Sequence, residues 1–158
     1  MILIRDELLH PMLAHFPIVM FTLALMVKSL EITSTYKFEA FSTKLNFVSK
    51  FLIFTAPLFY LLTIYLGDIA NDAIKNEFCE LTLISKHEEL GYYALYFFIG
   101  ALIFESLSEV LKKKRMLFNF AVLLSLIGSN YFIFKTAHSG AEMVYEKGAA
   151  VRVAPKCN

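Results

Sequence analysis

The chain has 158 residues, room for a single domain on the usual length scale. It is 58% hydrophobic and only 18% charged, against averages of about 45–50% and about 25% in soluble domains. Fifteen Lys and Arg stand against 14 Asp and Glu, which leaves no basic face and argues against nucleic acid as a partner.

The first apolar run, Pro11–Val27, is free of charged residues over 17 positions and opens with "HPMLAHFPIVMF" at 10–21. Arg5, Asp6 and Glu7 precede it and no small-x-small site follows, so it does not read as a cleaved signal peptide. Pro11 suits the first helical position with His10 as N-cap. Pro17 has no N–H to give the Leu13 carbonyl and is expected to kink the helix. In an unbroken helix His10 and His15 lie about 7.5 Å apart along the axis and about 140° apart around it, so they address one site only through such a kink.

The second run, Phe51–Gly67, is also charge-free over 17 residues, and Asp68 and Asp72 follow it. The third, Leu90–Phe104, is 15 residues alone and long enough as His87–Leu111 if Glu88, Glu89, Glu105 and Glu109 lie near its ends. "SKHE" (85–88) matches the S-x-x-E capping box, with Ser85 as N-cap and His87 in the first turn. Gly91 and Ala94 then follow at i+4 and i+7 on the histidine's face, a groove without side-chain bulk that suits a flat macrocycle. The same pair also suits an ordinary close contact between transmembrane helices. The fourth run, Met116–Phe134, spans 19 residues and leads into "YFIFKTAHSG", with Lys135 a turn before His138 and Gly140 expected to end the helix.

A helix needs about 17–25 apolar residues to cross roughly 30 Å of hydrocarbon, and backbone in lipid must satisfy its own hydrogen bonds. The sequence therefore predicts an all-α integral membrane protein, a bundle of four transmembrane helices at about 11–31, 47–67, 87–110 and 116–138, with a short periplasmic C-terminal tail. Soluble helices rarely stay charge-free for so long.

Four spans put both termini on one side, together with the 69–86 loop. The other side carries Lys28, Lys37, Lys44, Lys50 and "KKKR" at 112–115 against Glu31, Glu39, Glu105 and Glu109. The positive-inside rule makes that side cytoplasmic and the termini periplasmic. Cys79 and Cys157 share the periplasmic side, where a disulfide is permitted.

All four histidines, His10, His15, His87 and His138, fall at that periplasmic end. Polar groups buried at span ends are functional candidates, and three chemistries remain open. Zinc or copper takes three or four imidazoles. Haem takes one or two from facing helices, with small residues beside the ring. A proton relay pairs histidine with Asp68, Asp72, Glu88 or Glu89. Arg5, Lys135 and Arg152 are cations able to meet a cofactor's acidic groups, or solvated surface charge. The chain contains no C-x-x-C-H, Walker, GxGxxG or HExxH motif, and no nucleophile motif.

"HPMLAHFP" (10–17), "LGDIAND" (66–72), His87 at the third span and "HSGAEMVYEKGAAV" (138–151) resemble the bacterial membrane proteins classed as domain of unknown function 2231. Members open with His-Pro, three residues and His-Phe-Pro, carry a Gly-x-x-Asp type motif after the second span, and close on a pattern like H-x-G-G-x-x-V-Y-x-x-G. Ala141 stands here where the second glycine is usual, and Lys147 where a further histidine is common. The resemblance covers nearly the whole chain and implies that the four histidines occupy the family's positions. Some members accompany cytochrome-c-like domains, which tilts the choice towards haem. The resulting expectation is a b-type haem protein of the bacterial inner membrane, with one or two haems near the periplasmic face. Its ligands are drawn from His15, His87 and His138, with His10 as a fourth; Gly91 and Ala94 make room, and Arg5, Lys135 or Arg152 meet propionates. Its partners are the lipid bilayer, a periplasmic c-type cytochrome or a quinone, in a homo- or hetero-oligomer. The alternatives are a copper or zinc site and a cofactor-free structural or partner-binding subunit. No substrate is indicated.

Overall fold

The computed structural model describes residues 5–34, 38–75 and 78–149. They form four helices: α1 Asp6–Ser34, α2 Glu39–Ile74, α3 Leu81–Val110 and α4 Arg115–Tyr145, with a 3-10 turn at Lys112–Lys114 leading into α4. The helices run 29, 36, 30 and 31 residues. At 1.5 Å per residue that is roughly 43–54 Å, longer than the roughly 30 Å of hydrocarbon. The expected spans lie inside these helices, whose polar ends extend beyond the apolar stretch on both sides.

Only 22–33% of each apolar stretch is buried inside the bundle. Phe47, Leu58 and Leu124 are among the large apolar side chains left on the outside. Such a surface is stable in lipid and not in water, so the four helices are membrane spans.

Helix α1 packs along α2, and α3 along α4; α1 also touches α4, and α2 touches α3. The start of α1 meets the end of α2 through His10 and Thr63, and the start of α3 meets the end of α4 through His87 and Ser139. The bundle is thus up-down-up-down, with α1 and α3 on one diagonal. Across that diagonal Phe21 stacks on Phe98 at 3.8 Å between centroids, and Tyr60 of α2 lies 5.2 Å from Phe21. Ala24, Ala56, Ala94 and Ala101 are buried around this stack. Lipid is as apolar as this core, so small residues act here by letting helices approach and exchange hydrogen bonds. Asn130 of α4 donates to the Phe21 carbonyl at 3.1 Å, and Ser129 donates to the Ala94 carbonyl at 2.9 Å.

Three local expectations are corrected. Helix α3 starts at Leu81, and Ser85 is inside it, turning its hydroxyl back to the Leu81 carbonyl at 3.4 Å rather than capping. Burial of Phe78 and Leu83 carries the helix past the capping-box sequence, so His87 lies beyond the first turn. Glu80, just before α3, pairs instead with Lys147 at 2.7 Å, and this carboxylate holds the Lys147 ammonium above the usual lysine value. Helix α4 runs through Gly140 to Tyr145. Its termination falls at Gly148, whose φ of 71° allows the Ala149 N–H to reach the Met143 carbonyl at 2.8 Å. Helix α1 starts at Asp6, so His10 and Pro11 lie inside it rather than at its N-cap and first position.

Candidate cofactor site at the histidine end

Two of the four histidines meet. His10 of α1 and His87 of α3 approach across the diagonal, with ring centroids 6.0 Å apart and planes at 79°. Each is half-buried and each has its Nδ1 engaged: His10 with the Thr63 carbonyl at 2.9 Å, His87 with the Ser139 hydroxyl at 2.9 Å.

These partners fix the tautomers. A carbonyl only accepts, so His10 must carry its proton on Nδ1. Ser139 gives its one hydroxyl proton to the Thr136 carbonyl at 2.9 Å, so towards His87 it too accepts, and His87 donates from Nδ1. His15 follows the same pattern, with Nδ1 on the Pro11 carbonyl at 2.8 Å. A neutral ring so held has its lone pair on Nε2. Imidazoles that bind metals are held in this way, one nitrogen donating to the protein and the other left to ligate.

Two glycines make the approach sterically feasible. A Cβ on Gly67 of α2 would lie 3.1 Å from His10 Nδ1, and one on Gly140 of α4 would lie 3.1 Å from His87 Cε1. The flanks of both imidazoles are thus bare backbone from the second diagonal.

The remaining sequence candidates lie elsewhere. His15 and His138 are exposed on the outside of the bundle. His138 lines a groove of about 460 Å³ between α3 and α4 with Lys86, Leu90, Tyr131, Lys135 and Glu142, and the Lys135 ammonium sits 5.8 Å above the Tyr131 ring. Gly91 and Ala94 are buried, and protein occupies the space beside them. The Tyr60 hydroxyl donates to the Gly91 carbonyl at 2.7 Å, and a Cβ at Gly91 would stand 3.3 Å from that hydroxyl. Arg5 is paired with Glu7, and Arg152 lies outside the described residues. Asp68, Asp72, Glu88 and Glu89 are exposed; Asp72 pairs with Lys75 at 2.8 Å and Glu89 accepts from Tyr93 at 2.9 Å. Cys79 is disulfide-bonded; Cys157 lies outside the described residues.

Sequence reading missed Thr63, Gly67, Ser139 and Gly140 as site residues. Gly67 and Ser139–Gly140 do lie within the "LGDIAND" and "HSG" stretches, a signal that was present without its meaning. Among the described residues no group of three or more His, Cys, Asp or Glu is arranged to hold a metal ion. A family model described as "Predicted membrane protein (DUF2231)" matches residues 7–153. No curated protein and no solved structure matches the chain.

The tautomers can be checked without any ligand. In protein with ¹⁵N-labelled histidine at alkaline pH, where free imidazole is neutral, His10, His15 and His87 should appear as Nδ1–H tautomers, and Ser139→Ala should alter the His87 resonances alone among the three. Finding His87 as an Nε2–H ring would contradict the assignment.

Proposed function

The chain belongs to the DUF2231 family of predicted membrane proteins, and on that premise we propose a membrane-embedded b-type haem protein, acting in electron transfer, in which His10 and His87 would hold the haem iron. The observation that carries this reading is the His10–His87 pair on diagonal helices, 6.0 Å between centroids, with both Nδ1 atoms engaged by protein. At that separation the two imidazoles are near enough to hold one metal between them, with metal–nitrogen bonds of about 2.0–2.1 Å. A bare zinc or copper ion calls for three or four protein donors, a set not found among the described residues. Haem supplies four donors itself and asks the protein for two.

When bound, the haem supplies reversible one-electron chemistry. The chain's own part is to hold the imidazoles: Thr63 and Ser139 set their orientation. Gly67 and Gly140 keep side chains away from the rings. Gly91 and Ala94 belong in this reading to helix packing, and His15 and His138 are not needed by a single haem. Electrons would be exchanged at this end with a quinone or a c-type cytochrome.

The expected result is haem in the purified protein, with Soret and sharp reduced alpha bands, lost outright in His10→Ala and in His87→Ala and retained in His15→Ala and His138→Ala. Ser139→Ala should weaken haem retention by about 10–100-fold, the range for removing an imidazole's outer partner. Normal haem content in both His10→Ala and His87→Ala would sink the ligand assignment.

The same reading places this end at the periplasmic face of a bacterial inner membrane. Lys28 is buried and does not act as a loop charge, so the support comes from the "KKKR" turn at 112–115 on the opposite end and from the disulfide-bonded Cys79 at the histidine end. Alkaline phosphatase fused after Asn158 should be active and a reporter that works only in the cytoplasm should be silent. The reverse pattern overturns the orientation.

A further inference from the structure

Two lysines towards the end opposite the histidines are committed to carboxylates. Lys28 of α1 is fully buried, with its ammonium 2.7 Å from Glu105 of α3 and 3.1 Å from Glu31 of its own helix. Lys50 of α2 pairs with Glu109 at 2.7 Å. Two lysines at the histidine end are not committed. Lys86 of α3 and Lys135 of α4 are exposed and line the groove between those helices, together with His138 and Glu142. Lys86, Lys135 and Glu142 enter no ion pair among the described residues.

The groove has a volume of about 460 Å³, within the roughly 300–1,000 Å³ of clefts that hold small ligands. Its chemistry changes with depth, in an order set by helical spacing. Lys135, His138 and Glu142 follow Tyr131 at i+4, i+7 and i+11, so all four share one face of α4. Helix α4 runs towards the histidine end, which makes Tyr131 deepest and Glu142 outermost, about 16 Å further along the axis. Helix α3 enters from that end, so Lys86 lies about 6 Å outside Leu90. Side chains tilt towards a helix N-terminus, and the Lys135 ammonium accordingly leans inwards over the Tyr131 ring, at 5.8 Å.

From the hydrocarbon outwards the lining is therefore apolar and aromatic at Leu90, Tyr131 and Phe132, cationic at Lys86 and Lys135, and acidic at Glu142. His138 stands between the lysine and the glutamate of α4, with an imidazole N–H to donate. Ser139 also lines the groove, but its hydroxyl is occupied by the Thr136 carbonyl and His87.

We propose that this groove binds a phospholipid with an ethanolamine headgroup. The phosphodiester sits between Lys86 and Lys135, the headgroup ammonium meets Glu142, and the acyl chains run down past Leu90, Tyr131 and Phe132. Basic pockets between transmembrane helices hold lipid phosphates through charge-assisted hydrogen bonds. Glu142 narrows the choice of headgroup. A purely anionic headgroup leaves that carboxylate facing like charge, and a choline headgroup has no N–H to give it. Lys147, which feels the charge of Glu142, is itself held by Glu80 at 2.7 Å. The groove contains neither His10 nor His87, so the lipid site stands apart from the haem reading and its test reads lipid.

Native mass spectrometry tests the proposal on the full chain, delipidated in detergent and offered equal amounts of dioleoyl phosphatidylethanolamine, phosphatidylglycerol and phosphatidylcholine. The expected result is phosphatidylethanolamine retained in preference to the other two. Lys86→Gln and Lys135→Gln should each weaken its retention by about fivefold. Glu142→Gln should abolish the preference over phosphatidylglycerol while lipid still binds. Soluble glycerophosphoethanolamine, the headgroup without its chains, should not displace the lipid. Equal retention of the three lipids by the unaltered protein, or a preference for either of the others, would overturn the proposal, and that measurement needs no variant to fold. Undiminished phosphatidylethanolamine retention with both lysines replaced would overturn it too. Displacement by glycerophosphoethanolamine would overturn the lipid as occupant.

Discussion

In hydrocarbon an N–H or C=O without a partner costs several kcal/mol, and that penalty places many of the polar side chains inside this bundle. The imidazoles show it most clearly. His10 meets a backbone carbonyl and His87 a serine hydroxyl whose own proton is already committed. Both rings are thereby fixed in orientation, with their Nδ1 atoms engaged by the protein. The pairing of α1 with α2 and of α3 with α4 is what brings these acceptors within reach. The site is a product of the two hairpins as much as of the histidines.

The same penalty organises the rest of the bundle. Tyr60, Ser129 and Asn130 send their donors to carbonyls on neighbouring helices, and small residues permit the approach that makes those bonds short. Between the two polar ends the interior is aromatic and aliphatic, from Phe21 and Phe98 to Val122 and Leu126. The molecule therefore has two chemically separate ends: imidazoles and hydroxyls at one, a lysine between carboxylates at the other. Joining them through the middle would require breaking the aromatic stack.

Length and apolar patterning were enough to read four spans, because nothing except lipid tolerates charge-free runs such as Met116–Phe134. The family resemblance was legible in the end motifs for the same chain positions that the family model matches. Helix ends were less legible. "SKHE" obeys a local capping rule, yet burial of Phe78 and Leu83 extends α3 past it, and tertiary packing outweighs one cap. Helical spacing placed Gly91 under His87 correctly along the sequence, but could not show that Tyr60 from α2 fills the space there. The partners of His10 and His87 come from 53 and 52 residues away, a separation at which periodicity carries no information. Lys28, Glu31 and Glu105 looked like loop charges because each lies near the end of an apolar run; only the packing of α1 against α3 reveals them as interior.

The central claim is that two imidazoles on diagonal helices ligate one iron, and their ring planes in the structure stand at 79°. Low-temperature electron paramagnetic resonance of the oxidised, purified protein reads both the ligation and the angle. The account predicts a low-spin ferric haem signal of the strongly anisotropic kind that near-perpendicular axial imidazoles produce, abolished by His10→Ala and by His87→Ala. Protein free of haem iron, or a low-spin signal that persists when either histidine is removed, would contradict it.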